Sequence, residues 1–337
     1  MKRWGLLITA LLTSGLAGEG AADPLNIVTT TPDLAAIARA VAGDKAKVHS
    51  ICTGKEDPHF LQAKPSYIMM ARQADVWIRI GLELEIGWEP PILDGSRNNR
   101  IHIGSKGHLD ASESVAVLDT PQTTITRAMG DVHPMGNPHY WLDPLNGRRI
   151  AGVIAERLAL IAPADATRFR ANAVSFQQEL DTRMFGAELI KTVGADALWA
   201  KTQDGTLAAF LNEPANKGKV AGWVADMLPL CGQKIVTYHK SWIYFSGRFG
   251  LNVIAELEPQ PGVPPTAAHL AEVAEAAKAN GVKIILQEPF YSAKAANQLA
   301  DKTGARVVVV ANSVGGQPEA TDYLALMDLI VSRITGT

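Results

Sequence analysis

The chain has 337 residues, 47% of them hydrophobic and 20% charged, which is enough for two or three domains with ordinary globular cores. Its 32 Lys and Arg against 34 Asp and Glu leave a net charge of −2. No block of like charges stands out, which argues against the clustered basic face of a nucleic-acid binder.

At the N-terminus Lys2 and Arg3 precede an apolar stretch from Trp4 to Leu12, and small residues lead to Gly20-Ala21-Ala22. A positive start, a short apolar core and a small-residue end read as a secretory signal peptide over 1–22, cleaved after Ala22. The apolar run is far below the ~20 residues needed to span a bilayer. No later run is long enough either, so the mature protein is expected to be soluble and periplasmic.

After the signal, Asn26–Thr29 reads as a strand and Asp33–Val41 as an amphipathic helix opening behind Thr31-Pro32. Lys47–Cys52 is a second strand, Pro65–Gln73 a helix and Val76–Ile80 a third strand. Strands alternating with helices predict βαβ units on a parallel sheet, an N-terminal α/β lobe over 23–144. The next stretch, 145–184, carries Ile150, Val153, Ile154, Leu158 and Ile161, then Phe169, Val174, Phe176 and Leu180, at helical spacing. It predicts a long helical connection between lobes, in which Pro163 starts a second helical piece. A stiff helix there permits less relative movement than an extended, flexible hinge. Residues 185–230 are of mixed character and read as an inserted run of helices and loops. A second α/β lobe over 231–337 follows. Its strands are Lys234–Tyr238, Asn252–Ala255, Lys283–Leu286 and Arg306–Val310, with helices at Ala267–Ala279 and Ala293–Thr303.

Cys52 and Cys231 are the only cysteines. An exported pair invites a disulfide, but Cys52 falls at the end of a strand and Cys231 ahead of one. Those positions lie at opposite ends of a parallel sheet, so two separate thiols are expected.

Of the eight histidines, three stand out by context. His59 lies in Asp57-Pro58-His59, His139 in Asn137-Pro138-His139-Tyr140-Trp141-Leu142-Asp143-Pro144, and His239 in Thr237-Tyr238-His239-Lys240-Ser241-Trp242. Each sits past a strand-like run or in a Pro-bounded loop, and imidazole is the commonest ligand for a borderline metal such as zinc. Convergence from such distant positions requires a fold that gathers strand ends. His133, in Asp131-Val132-His133-Pro134, is read as a solvated loop residue in preference to an accessory metal-capturing one. His49, His102, His108 and His269 have no context above background. Glu56 and Asp57 either orient His59 or simply solvate their loop. Asp143 reads as the cap of the connecting helix, and Trp242, Tyr244 and Phe245 as core or cleft wall.

These motifs, together with Gly54-Lys55-Glu56 and the strand end Gln287-Glu288-Pro289, resemble the metal-specific solute-binding proteins that serve ABC transporters for zinc and manganese. The similarity runs from about Leu25 to the C-terminal helix. It implies two α/β lobes, each a parallel sheet flanked by helices, joined by a long backbone helix with metal in the cleft. His59 and His139 would be the ligands of the first lobe and His239 of the second. The family's fourth ligand is commonly an Asp after the last strand; here Ala311-Asn312-Ser313-Val314-Gly315 puts Asn312 in its place. Glu288, water or Asn312 is left for the fourth position, and Glu288 can equally hold an imidazole N–H from behind. The insertion at 185–230 is a second departure, and the His- and acid-rich loop of zinc-specific relatives is absent.

The resemblance implies a monomeric, non-enzymatic carrier that delivers zinc to an ABC permease. Three neutral nitrogens favour zinc over manganese, which prefers more carboxylate. A manganese or iron carrier or an adhesin of the same family is an alternative. A three-histidine zinc hydrolase with Glu288 as base is another, although no HExxH pairing is present.

Overall fold

The structure is a computed structural model that describes residues 23–121, 133–260 and 262–337. The expected signal peptide lies outside the described residues. No helix among the described residues is long and apolar enough to cross a membrane.

The first lobe is built from β1 (Leu25–Thr29), α1 (Pro32–Ala42), β2 (Ala46–Ser50), α2 (Pro65–Gln73), β3 (Val76–Arg79), α3 (Glu89–Ser96) and β4 (His108–Asp110). Two helices then connect the lobes, α4 (Pro144–Ile161) and α5 (Ala166–Phe185). Four short helices follow, α6 (Ala187–Val193), α7 (Ala195–Gln203), α8 (Leu207–Leu211) and α9 (Gly222–Met227). The second lobe comprises β5 (Lys234–Thr237), α10 (Ile243–Phe249), β6 (Asn252–Glu256), α11 (Ala267–Ala279), β7 (Ile284–Gln287), α12 (Ala293–Thr303), β8 (Arg306–Val309) and α13 (Tyr323–Thr335).

Each lobe holds a four-stranded, all-parallel sheet, ordered β2-β1-β3-β4 in the first and β6-β5-β7-β8 in the second. The two orders are the same topology used twice. In both, the chain steps outward once, then returns to the other side of its first strand. The crevice outside the strand C-termini at that reversal is where open α/β sheets bind ligands. His239 follows β5 and Glu288 follows β7, the two strands that flank the reversal in the second sheet.

Alternation along the strands covers both faces of each sheet, as a parallel sheet requires. Ile27, Val76 and Ile78 face one cluster, while Val28 and Trp77 face another with Trp88 and Ile92. The first of these clusters continues through α4, α5 and α9 to α13, so one hydrophobic core crosses between the lobes. The helical connection turns at Pro163, and α5 runs back along α4. Gln177 bonds the Arg148 backbone at 2.9 Å and Arg170 pairs with Glu156 at 2.7 Å, contacts that an antiparallel pair makes. Asp143 caps α4 by accepting from Leu145 N at 2.9 Å, and the same carboxylate grips Arg248 of α10 at 2.8 and 2.7 Å. Trp242 and Phe245 are fully buried core residues.

Two elements escape a periodicity reading. Strand β4 is three residues with one apolar side chain, and α3 begins Glu89-Pro90-Pro91, which looks like a loop. Prolines are tolerated there because first-turn N–H groups lack helical partners anyway. Both cysteines are free thiols, Cys52 buried and Cys231 at the surface.

Candidate metal centre

His59 sits on a one-turn helix, Pro58–Phe60, that follows the loop beyond β2. Asp57 caps that turn. Its Oδ1 accepts from His59 N at 3.0 Å and from His59 Nδ1 at 2.6 Å. His139 begins a second such turn, Tyr140–Leu142, and Asn137 repeats the geometry: its Oδ1 accepts from His139 N and from His139 Nδ1, both at 3.0 Å. The two Pro-containing motifs are therefore one device used twice. A short Asx side chain turns the backbone and fixes the imidazole two residues later. In the second lobe His239 Nδ1 donates to Glu258 Oε2 at 2.8 Å. Glu258 reaches it because β6 runs beside β5, with Glu258 N bonded to Tyr238 O at 3.0 Å.

With Nδ1 of each ring committed, the Nε2 atoms are left to face one another. The three residues offer ligand atoms that all lie within 4.8 Å of one another. Their ring centroids are 5.2 to 5.5 Å apart. His139 is 2% and His239 7% exposed, so bulk water is largely excluded. Burial, then neighbouring His59, His239 and His133, drives His139 well below the ordinary histidine pKa and keeps it neutral. Burial also opposes the charge on His239, but the Glu258 hydrogen bond and the Glu258, Glu288 and Asp57 charges outweigh it and raise its pKa. Burial pushes Asp57 up, yet the His59 hydrogen bonds and charge prevail and hold its carboxyl at about 2. Asp57 and Glu258 thus place negative charge behind two imidazoles, where it raises ligand basicity.

The residues considered for a fourth position stand differently. Glu288 is fully buried at the end of β7, but the three-histidine group contains no carboxylate. Its Oε1 accepts from Ser241 Oγ, and its buried Oε2 has no hydrogen-bond partner among the described residues. Burial lifts its pKa to about 7 against the pull of His239 and Ser241. Asn312 is anchored by its backbone, whose carbonyl accepts from Trp141 Nε1 at 2.7 Å. His133 corrects the loop reading: its Nε2 lies 3.0 Å from His59 Nε2.

Sequence patterns also missed the cross-cleft contacts. Tyr291, stacked on Tyr238 at 4.1 Å, donates from its hydroxyl to Asp57 Oδ2 at 3.1 Å. Asn137 Nδ2 donates to Lys240 O at 2.8 Å, and the Tyr244 hydroxyl donates to Asn137 O at 2.8 Å. Buried Asp33 of α1 accepts from Ser313 Oγ at 2.5 Å and Val314 N at 2.9 Å. Beside it, Gly54 adopts φ 83°, and an added Cβ would stand 2.1 Å from Val314 O. Only glycine permits that approach of the two lobes. Glu258 and Tyr291 carried no local signal, since neither lies in a motif with its partner.

Two parallel-sheet lobes thus hold three converging imidazoles between them, a donor set suited to a transition metal. The chain belongs to the family described as zinc-uptake complex component A, periplasmic, whose model matches residues 27–184 and 218–336 and so omits 185–217. The chain is 23% identical over 317 residues to the zinc-binding lipoprotein AdcA of Streptococcus pneumoniae (strain ATCC BAA-255 / R6), covering 92% of this chain and 55% of AdcA. It is 28% identical over 173 residues to the manganese ABC transporter substrate-binding lipoprotein PsaA of Streptococcus pneumoniae, 50% of this chain and 52% of PsaA. A 24% identity over 172 residues links it to the high-affinity zinc uptake system protein ZnuA of Brucella abortus (strain 2308), 51% of this chain and 41% of that one. The chain therefore spans about half the length of these curated relatives. A crystal structure of ZnuA superposes with a TM-score of 0.67 at 22% identity, over 94% of this chain and 99% of the other, and shows the same fold.

Proposed function

We propose that this chain is an extracytoplasmic carrier that captures one zinc ion between its lobes and hands it to an ABC permease. The observation that carries this reading is the convergence of His59, His139 and His239, each fixed at Nδ1 by a separate acceptor. Neutral nitrogen donors suit zinc better than manganese, which calls for more oxygen. Irving–Williams order alone would favour copper, so zinc selectivity also draws on cleft geometry and on which metals the compartment offers.

The protein works as a soluble monomer in the periplasm, after removal of residues 1–22, and performs no chemistry on its cargo. A hydrolytic zinc needs an open coordination position that a substrate carbonyl can reach. Here His139 and His239 are almost wholly buried, and Glu288, the candidate base, holds Ser241. Both features favour capture over catalysis.

Metal-free protein titrated with zinc against a chromophoric chelator is expected to bind one equivalent, with zinc outcompeting equimolar manganese. His239→Ala should weaken zinc by orders of magnitude. Unchanged affinity in that variant, or displacement of zinc by equimolar manganese, refutes the assignment.

A further inference from the structure

The inserted run of helices forms a second pocket, away from the metal cleft. It holds about 170 Å³ between α7, α8 and α9 on one side and α10 on the other, and none of His59, His139 or His239 lines it. Six of its fourteen lining residues, Lys201, Thr202, Gly205, Leu207, Ala208 and Leu211, fall in the stretch 185–217 that the family model omits. The pocket is therefore built in large part from what this chain adds to the family's fold.

Its size and lining restrict what it can take. An apolar cavity of about 150 Å³ accommodates one benzene ring. Buried Leu211, Val224, Met227 and Phe249 give this pocket an apolar wall, with room for a single ring or a short branched chain. Gly247 helps to keep it open. Glycine weakens a helix, yet Gly247 lies inside α10, and a Cβ there would meet nothing within 4 Å.

The charged groups of the lining have one sign: Lys201 and Arg248 line the pocket and no Asp or Glu does. Arg248 Nε and Nη2 donate to Asp143 at 2.8 and 2.7 Å, and Nη1 donates to Thr202 Oγ1 at 2.9 Å. Three of the five N–H groups of this guanidinium are so engaged, which leaves two without partners among the described residues. Asp143 balances the Arg248 charge, but no carboxylate pairs with Lys201 among the described residues. The Lys201 ammonium stands 4.5 Å over the Phe210 ring, while Asp204, three residues on, accepts from Thr206 N and Oγ1 at 2.9 and 2.5 Å.

We propose that this pocket binds a small monocarboxylate with a compact apolar body, an aromatic or branched-chain acid. The carboxylate meets Lys201 and the two unengaged N–H groups of Arg248, and the apolar body packs on Leu211, Val224, Met227 and Phe249. The guanidinium is fixed before the ligand arrives, because Asp143 and Thr202 hold it and it lies 5.7 Å from the centroid of the Trp199 ring. This site is independent of zinc carriage and gives the inserted helices a task.

The test titrates the purified full chain with benzoate and with uncharged benzyl alcohol, read by saturation-transfer NMR. Benzoate should bind with a dissociation constant of about 1 mM or tighter, and benzyl alcohol about tenfold more weakly. Lys201→Met keeps the apolar stem and should cost benzoate about tenfold. Gly247→Phe places a ring in the open space and should abolish binding, with circular dichroism confirming that both variants fold. Cys231 lines the pocket at the surface and Cys52 is buried, so one thiol reports occupancy. Benzoate at ten times its dissociation constant should slow the reaction of Cys231 with an aromatic disulfide by about tenfold. No benzoate binding by the wild type, unslowed Cys231 labelling, or full binding in Gly247→Phe overturns the site. Equal affinity for benzyl alcohol, or unchanged benzoate affinity in Lys201→Met, overturns the carboxylate assignment.

Discussion

Asp57 carries more of the candidate site than any residue that does not face the metal. It accepts from His59 N, from His59 Nδ1 and, across the cleft, from the Tyr291 hydroxyl. Asp57→Ala removes the orientation of one ligand, the cap of its turn and the bond between lobes. Loss of a group that orients a metal-bound histidine costs about 10- to 100-fold in affinity, or roughly 1.4–2.7 kcal/mol. Removing an Asx cap adds about 1 kcal/mol of local destabilisation. Asp57→Ala is therefore expected at the 100-fold end, and Asp57→Asn nearer tenfold, since an amide oxygen still accepts but brings no charge. The structure supplies its own control, because His139 already depends on an amide, Asn137. Asn137→Asp should accordingly tighten zinc at neutral pH. Competitive chelator titration of the purified variants measures all three. Affinity within about twofold of wild type in Asp57→Ala would refute the idea that the carboxylate supports the ligand from behind.

Two further outcomes follow from contacts between the lobes. Tyr291→Phe deletes one hydrogen bond to a charged acceptor, worth about 1.5–3 kcal/mol when desolvated; it should raise the zinc dissociation rate more than it slows association in stopped-flow chelator capture. Asp33 governs stability against pH, because burial, opposed by its bonds to Ser313 and Val314, raises its carboxyl from 3.8 to about 7. The folded state then binds the proton more tightly than the unfolded state, so stability contributed by this group is complete below about pH 4 and declines as pH rises towards 7, by about 4 kcal/mol in all. Asp33→Asn should flatten that part of the stability profile in urea melts recorded between pH 4 and 8, and an unaltered profile would exclude Asp33 as its source.

Much of this molecule is determined locally and is legible in the sequence. The helices Pro65–Gln73, Ala267–Ala279 and Ala293–Thr303 follow from apolar spacing and end signals, because helix formation depends on neighbours a turn apart. Most strands show as short β-branched runs between turns, and the Asx-Pro-His motifs at His59 and His139 announce themselves because the turn and the ligand lie within three residues. Strand β4 and helix α3 do not, since their stability comes from the sheet edge and the packing around Trp88 and Ile92. Pairings across the chain were decided only by tertiary structure. Glu258 meets His239 because β6 lies beside β5, Tyr291 meets Asp57 across the cleft, and His133 meets His59 although 74 residues separate them. Hydrogen bonds and metal geometry are set by ångström distances between side chains, and nothing in local composition encodes those distances. The sequence by itself determined which imidazoles could gather; the closure of two lobes around one core decided which groups hold them, and which stands beside them.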